Sequence, residues 1–217
     1  FIENADLGLL STGILGIYLL ICAYGAIGLF MSSITSYQVV AAMRTLAVLA
    51  ALNYVGEVGQ DYAFVRDITY WLSIAGRAHQ FISGLICSED LLYFLLIIAF
   101  FLTLSILKLR AGRRKMSCGK TWGTYGVAIV AALLVGYLST LPTLKLYYDA
   151  TATKNNTLTE VSQEVLENLD GEMTITSYVN LLDDNYGIGL PSQLKTDYKR
   201  FEQYIRFKPN IKMKYVY

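Results

Sequence analysis

From Leu7 to Met43 the chain runs without a charged residue, and nearly every position is apolar or small. One membrane helix needs about 20 such residues, so a run this long predicts two helices with a turn between them. The stretch "MSSITSYQ", Met31–Gln38, supplies the small and hydroxylated residues for that turn. The first two spans are placed at 7–30 and 37–55. A third apolar run, "LLYFLLIIAFFLTLSIL", gives a span at 91–107, and a fourth, "YGVAIVAALLVGYLSTL", gives one at 125–141. Between spans two and three, Asp61, Arg66, Asp67, Arg77, His79, Glu89 and Asp90 interrupt the apolar character of Gly59–Asp90. Residues 64–87 are therefore read as an outer re-entrant pair of short helices, with Tyr62, Tyr70 and Trp71 suited to a membrane interface.

After Lys145 the pattern changes to polar and charged positions with interspersed apolar ones, which marks a folded domain beginning near Tyr147. Thr157 and Glu160 have the spacing of a capping box, and Leu158, Val161, Val165 and Leu169 recur at helical intervals. "EMTITSYVN" alternates as a strand does. Beyond the loop "LLDDNYGIGLPS", the residues Leu194, Tyr198, Phe201 and Ile205 predict a second amphipathic helix, and "NIKMKYVY" a second strand. Helix, strand, helix, strand with a crossover connection describes the start of an open α/β sheet.

The fold class expected is mainly α: a polytopic membrane helix bundle of four spans plus an outer re-entrant helix pair, followed by an extracytoplasmic α/β domain. Residues 1–116 form the first part, 117–146 a cytoplasmic linker with the fourth span, and 147–217 the outer domain. Both parts are expected to be incomplete, because the chain opens on Phe1 in a loop leading to a span and stops at Tyr217 on an alternating segment.

Composition agrees. Of 217 residues 54% are hydrophobic and 16% charged, which excludes an ordinary soluble protein. A net charge of +1 offers no bulk attraction to nucleic acid, so the placement of charge matters more than its sum. Lys108, Arg110, Arg113, Arg114, Lys115 and Lys120 follow the third span with no acid among them. Short segments dense in Lys and Arg stay cytoplasmic. These six residues thus determine topology: the turn at 31–38 is inside, Gly59–Asp90 outside, and everything after about Lys145 extracytoplasmic, with Trp122 below the fourth span and Tyr147 and Tyr148 above it. Arg44 then lies near the cytoplasmic end of span two, where its long side chain reaches the headgroups, and this snorkelling outweighs a role in a substrate pathway.

Candidate chemistry is sparse. "GKT" at Gly119–Thr121 ends like a phosphate-binding loop, but that motif needs a glycine where Arg114 stands, and both flanks are apolar runs. No zinc-protease, nucleophile-elbow or dinucleotide motif occurs. Cys22, Cys87 and Cys118 lack metal-binding or disulfide-framework spacing. His79, the single histidine, with Ser73 or Ser83 has the makings of an intramembrane hydrolase, although an interfacial histidine accounts for it more simply. Asp183, Asp184 and Asn185 suit a solvated turn better than Ca²⁺, and Asn155-Asn156-Thr157 matches a glycosylation acceptor.

"YGAIGLFMSSITSYQVVAA", Tyr24–Ala42, and "HQFISGLICSEDLLYFLLIIAFFLTLSILKLR", His79–Arg110, resemble the permease of ABC type-2 exporters, in its gliding-motility-associated GldF branch. The remainder, with Leu158-Thr159, Ser162 and Leu166-Glu167-Asn168-Leu169, resembles the start of GldG, the companion subunit with one span and an outer domain. The two resemblances together imply a permease–companion fusion in the bacterial inner membrane. They imply no catalytic, cofactor-binding or metal residue on this chain. ATP and Mg²⁺ would be bound by a separate cytoplasmic ABC ATPase subunit, and a second permease unit would complete a dimer in the lipid bilayer. The alternative is a membrane-anchored scaffold whose outer domain binds a partner.

Overall fold

A computed structural model describes residues 6–55, 65, 69, 71–113, 118–139, 146–169, 171–184, 186–190, 193–208 and 211–216, with the backbone alone at 75, 113, 118–121, 195 and 199. The chain is mainly helical and divides into two compact units, 1–56 with 70–152 and 57–69 with 153–217.

In the first unit α1 spans Leu7–Ile34, α2 Gln38–Tyr54, α3 Ile74–Ile82, α4 Ser88–Arg113 and α5 Cys118–Ser139. By length and composition α1, α4 and α5 can each cross a membrane. At 1.5 Å per residue their 28, 26 and 22 residues extend about 42, 39 and 33 Å, against a hydrocarbon core of about 30 Å. α2 has 17 residues and is the one apolar helix of the expected four that is shorter. In lipid a stray hydroxyl needs a partner. Thr12, Thr45, Ser105 and Ser139 donate to carbonyls one turn back, at 2.7–3.0 Å, and so sit within apolar helices.

Two boundaries differ from the expected ones in a way that moves the cations. α4 begins at Ser88 rather than 91 and continues to Arg113 rather than stopping at 107, so Lys108, Arg110 and Arg113 occupy helical turns. Leu, Lys, Arg and Ala are good helix formers, and cations complement the negative C-terminal end of the helix dipole. Glu89 and Asp90 in its first turn complement the other end. α5 begins at Cys118, so Lys120 lies in a first helical turn too. The backbone of Gly119-Lys120-Thr121 is helical, within α5. Arg114 and Lys115 fall outside the described residues, as does most of 56–70, including one of the two short helices read at 64–87.

The core of this unit joins α1, α3 and α4 through Leu19, Ala23, Ile27, Ile74, Ala78, Phe81, Tyr93, Phe94 and Ile97. Gly16 lets α1 and α3 approach closely, because a Cβ there would overlap the Phe81 side chain. Tyr24 of α1 and Asn53 of α2 join through Oη and the amide at 3.0–3.1 Å. An unexpected two-stranded antiparallel sheet pairs β1, Leu85–Cys87, with β2, Tyr147–Asp149. Residues 147–152, assigned by composition to the outer domain, thus belong with the helices.

The second unit contains α6, Glu160–Glu167, then β3, Thr174–Tyr178, a 3-10 turn at Tyr186–Gly189, α7, Leu194–Arg200, α8, Glu202–Phe207, and β4, Lys212–Val216. β3 and β4 pair in parallel, Thr174 opposite Lys212 and Tyr178 opposite Val216, so the chain crosses over between them through α7 and α8. Two details depart from the expected pattern. The cap of α6 is Thr159, whose Oγ1 accepts from the Ser162 amide, and the continuous second amphipathic helix is broken at Phe201. The buried apolar residues flanking and within α6 are Leu158 and Leu166, while Val161, Val165 and Leu169 are exposed.

Candidate functional site

Three groups of residues at one end of the helical unit form the densest polar structure among its described residues. The first is an ion cluster. Arg77 is carried on α3, which follows the cap residue Ser73 and ends before Gly84, at φ 85°, turns the chain into β1. Only a residue without a Cβ adopts that turn readily. Arg77 Nη1 donates to Asp90 Oδ1 at 2.7 Å and Nη2 to Glu89 Oε1 at 3.3 Å, with side-chain exposures of 4% for Arg77, 6% for Asp90 and 19% for Glu89. The guanidinium carbon lies 4.5 Å above the Tyr93 ring, adding a cation–π contact. Tyr93 Oη donates to the Leu72 carbonyl at 2.9 Å, and Trp71 meets the Tyr93 ring edge-on at 5.8 Å. A guanidinium enclosed by two carboxylates and an aromatic face ties α3 to the first turn of α4.

The second group is a backbone clasp. Beyond the β1–β2 ladder, the Ala150 amide donates to the Gly84 carbonyl and the Ser88 amide to the Leu146 carbonyl, both at 2.9 Å, while Leu146 N donates to Ser88 Oγ at 2.9 Å. Asp149 is buried and accepts from Thr151 N at 3.0 Å and Oγ1 at 2.6 Å. The third group is Asp6. One carboxylate oxygen caps α1 by accepting from Leu9 N at 2.9 Å, and the other accepts from Ala152 N at 2.8 Å. These two backbone amides hold its carboxyl below the usual carboxylate range. Gly8 lets the start of α1 approach closely, because a Cβ there would collide with the Ala150 carbonyl.

α1 and α4 therefore start at the same end, and α2 returns alongside α1. The opposite end receives the turn at 35–37, shorter than the expected one at 31–38 because Met31–Ile34 continue α1, together with Arg44 and the cationic turns of α4. Lys108, Arg110 and Arg44 are exposed there. This arrangement puts the six topology residues, so far as they are described, apart from every described acid of the helical unit: Asp6, Glu89, Asp90 and Asp149 all sit at the clasp end.

The remaining sequence candidates are dispersed. His79 is exposed on α3, Ser73 is buried at its start, and Ser83 Oγ donates to the His79 backbone carbonyl at 2.9 Å. Cys22 lies on α1, and Cys87 Sγ donates to Gln80 Oε1 at 3.0 Å. Among the described residues no three His, Cys, Asp or Glu side chains converge as metal ligands. Asp183 and Asn180 form a turn, and Asn155 is exposed in the turn closed by Thr157 N and Lys154 O. Arg77, Glu89 and Asp90 were visible in sequence only as interruptions of an apolar segment. Their pairing joins positions 12 and 13 residues apart on two elements, which no local periodicity encodes. Comparison of the chain with protein-family models, with curated proteins and with solved structures finds no match.

Proposed function

We propose that this chain is the membrane-spanning permease part of an ATP-driven exporter of the ABC type-2 class, fused to the start of a GldG-like companion subunit. In this reading it lies in the bacterial inner membrane with residues after about 145 outside, a second permease unit pairs with it, and a separate ATPase subunit binds ATP and Mg²⁺ on the cytoplasmic side. The chain transmits hydrolysis to substrate movement or to envelope and gliding machinery.

The observation that supports this most directly is the polarity of the helical unit. One end is clasped and ion-paired, the described charged residues of the other are all cations, and both segments that resemble the permease, Tyr24–Ala42 and His79–Arg110, contribute residues to one helical core. Short cation-rich ends favour the cytoplasmic side, where an ATPase would dock. Closure of that ATPase drives transport only if it favours one of two arrangements of the helices. A core continuous through α1, α3 and α4 would carry such a shift from one end to the other.

Affinity purification of the tagged chain from its native membranes tests this. The expected result is recovery of an ATPase whose hydrolysis rate changes when the membrane subunit is present, and failure to recover one overturns the reading. A scaffold role is the second reading, favoured by the second unit's exposed Leu182, at 93%, and Tyr178, at 79%, which suit a protein partner. Full biological activity with a catalytically dead ATPase would select it.

A further inference from the structure

We propose that the cationic end of the helical unit is a binding site for anionic phospholipid headgroups, built on Lys108 and Arg110. This inference is independent of the transport reading, since it concerns only the membrane that surrounds the helices.

Charge at this end is unbalanced. Residues 7–56 and 91–148 contain no Asp or Glu, so the cations of this end have no acidic partner in either segment. Arg44 is exposed on α2, Lys108 and Arg110 are exposed on α4, and Arg113 and Lys120 stand at the last residue of α4 and in the first turn of α5. Depth comes next. Ile106 and Leu109, either side of Lys108, are 50% and 57% exposed on a helix that can cross a membrane. An apolar exposed surface of this kind faces acyl chains, and the cations between and just beyond these residues reach the level of the phosphates. Trp122, 74% exposed two residues after Lys120, adds the amphipathic ring that settles at that level. Clustered Lys and Arg beside a membrane helix attract anionic lipid, an attraction that falls off within a Debye length. A phosphodiester with a net charge of minus one supplies the counter-ion that these two segments do not.

Trp122 is also the reporter. The chain has two tryptophans, and Trp71 packs against Tyr93 beside the clasp-end ion cluster, so the signal lost in a Trp122→Phe variant isolates the cationic end. The full chain is reconstituted into phosphatidylcholine vesicles containing phosphatidylglycerol, with acyl-chain bromine carried on one lipid or the other at equal mole fraction. Brominated phosphatidylglycerol is expected to quench Trp122 more strongly than brominated phosphatidylcholine. Each basic residue contributes about fivefold to such a preference, so Lys108→Gln with Arg110→Gln, which removes two, is expected to lower it by about 25-fold. Lys108→Arg with Arg110→Lys keeps both charges and is expected to retain it, which separates loss of charge from loss of fold. Equal quenching by the two lipids overturns the proposal, as does a preference unchanged by the double Gln variant. Loss of the preference on adding inorganic phosphate at constant ionic strength would reassign the site to a free anion and overturn the lipid assignment.

Discussion

In the helical unit Leu46, Leu133 and Leu134 are exposed while Arg77 and Asp90 are enclosed; in the α/β unit Leu158, Leu166 and Ile211 are enclosed while Glu160, Glu164 and Glu167 face out. The two units follow the same rule in different solvents. Where acyl chains surround a helix, apolar residues lose nothing by being outside, and the interior is chosen by packing and by the need to pair charges. Where water surrounds the fold, burial of apolar surface drives assembly directly. Exposed apolar residues thus carry different meanings in the two units. On α5 Val127, Ile129, Val130, Leu133 and Leu134 go round the helix and suit lipid or a packed neighbour, whereas Val161 and Val165 on α6 lie on a single helix whose other face is polar.

The comparison is broken most easily at its charged interior. Arg77→Gln leaves Asp90 and Glu89 enclosed without their cation, and a loss of about 3–5 kcal/mol is expected, read by thermal unfolding in detergent micelles. Asp90→Asn should cost less, because Arg77 keeps Glu89. The Lys212–Glu172 pair of the α/β unit, with side chains 63% and 61% exposed, gives the contrast: Lys212→Gln should change stability by about 0–1 kcal/mol. Equal effects at Arg77 and Lys212 would show that enclosure does not separate the two units. The next effect belongs to the water-facing core. Leu166 is buried, and Leu166→Ala should destabilise the α/β unit by about 2 kcal/mol, the lower end of the range for such truncations. Chemical unfolding monitored in that unit measures it.

The sequence carried these features unevenly. Long uncharged runs specify membrane helices because their signal is local and summed over 20 or more positions, so α1, α4 and α5 were legible. Strands β3 and β4 were legible for the same reason, each alternating over five residues. The helical status of Lys108, Arg110 and Arg113 was not, since a cluster of like charges resembles a loop until the dipole of a continuing helix is taken into account. β1 and β2 have three residues each and pair across more than fifty intervening positions, so neither periodicity nor a turn signal points to them. The capping box read at Thr157 and Glu160 lies two residues ahead of the observed cap, Thr159, whose Oγ1 accepts from the Ser162 amide. Pairing between separated positions is what hid β1, β2 and the contact of Arg77 with Asp90.

The smallest expected effect concerns the clasp and has a sign that can be worked out. Asp6 accepts from Leu9 N and Ala152 N, and both bonds favour the carboxylate, so its pKa in the folded chain lies below the ordinary 3.8. A group whose folded pKa is depressed binds fewer protons folded than unfolded. Its contribution is therefore complete above 3.8 and disappears as the pH falls through the lower folded value. Amide hydrogen exchange provides the readout at the two donors themselves. Protection of Leu9 and Ala152 should hold steady at neutral pH and fall on acidification, whereas Asp6→Asn should start from lower protection at neutral pH and show no acid step. An acid step of unchanged size in Asp6→Asn would mean that a different carboxylate, with buried Asp149 the nearest choice on this clasp, governs the attachment of the 146–152 segment to the start of α1.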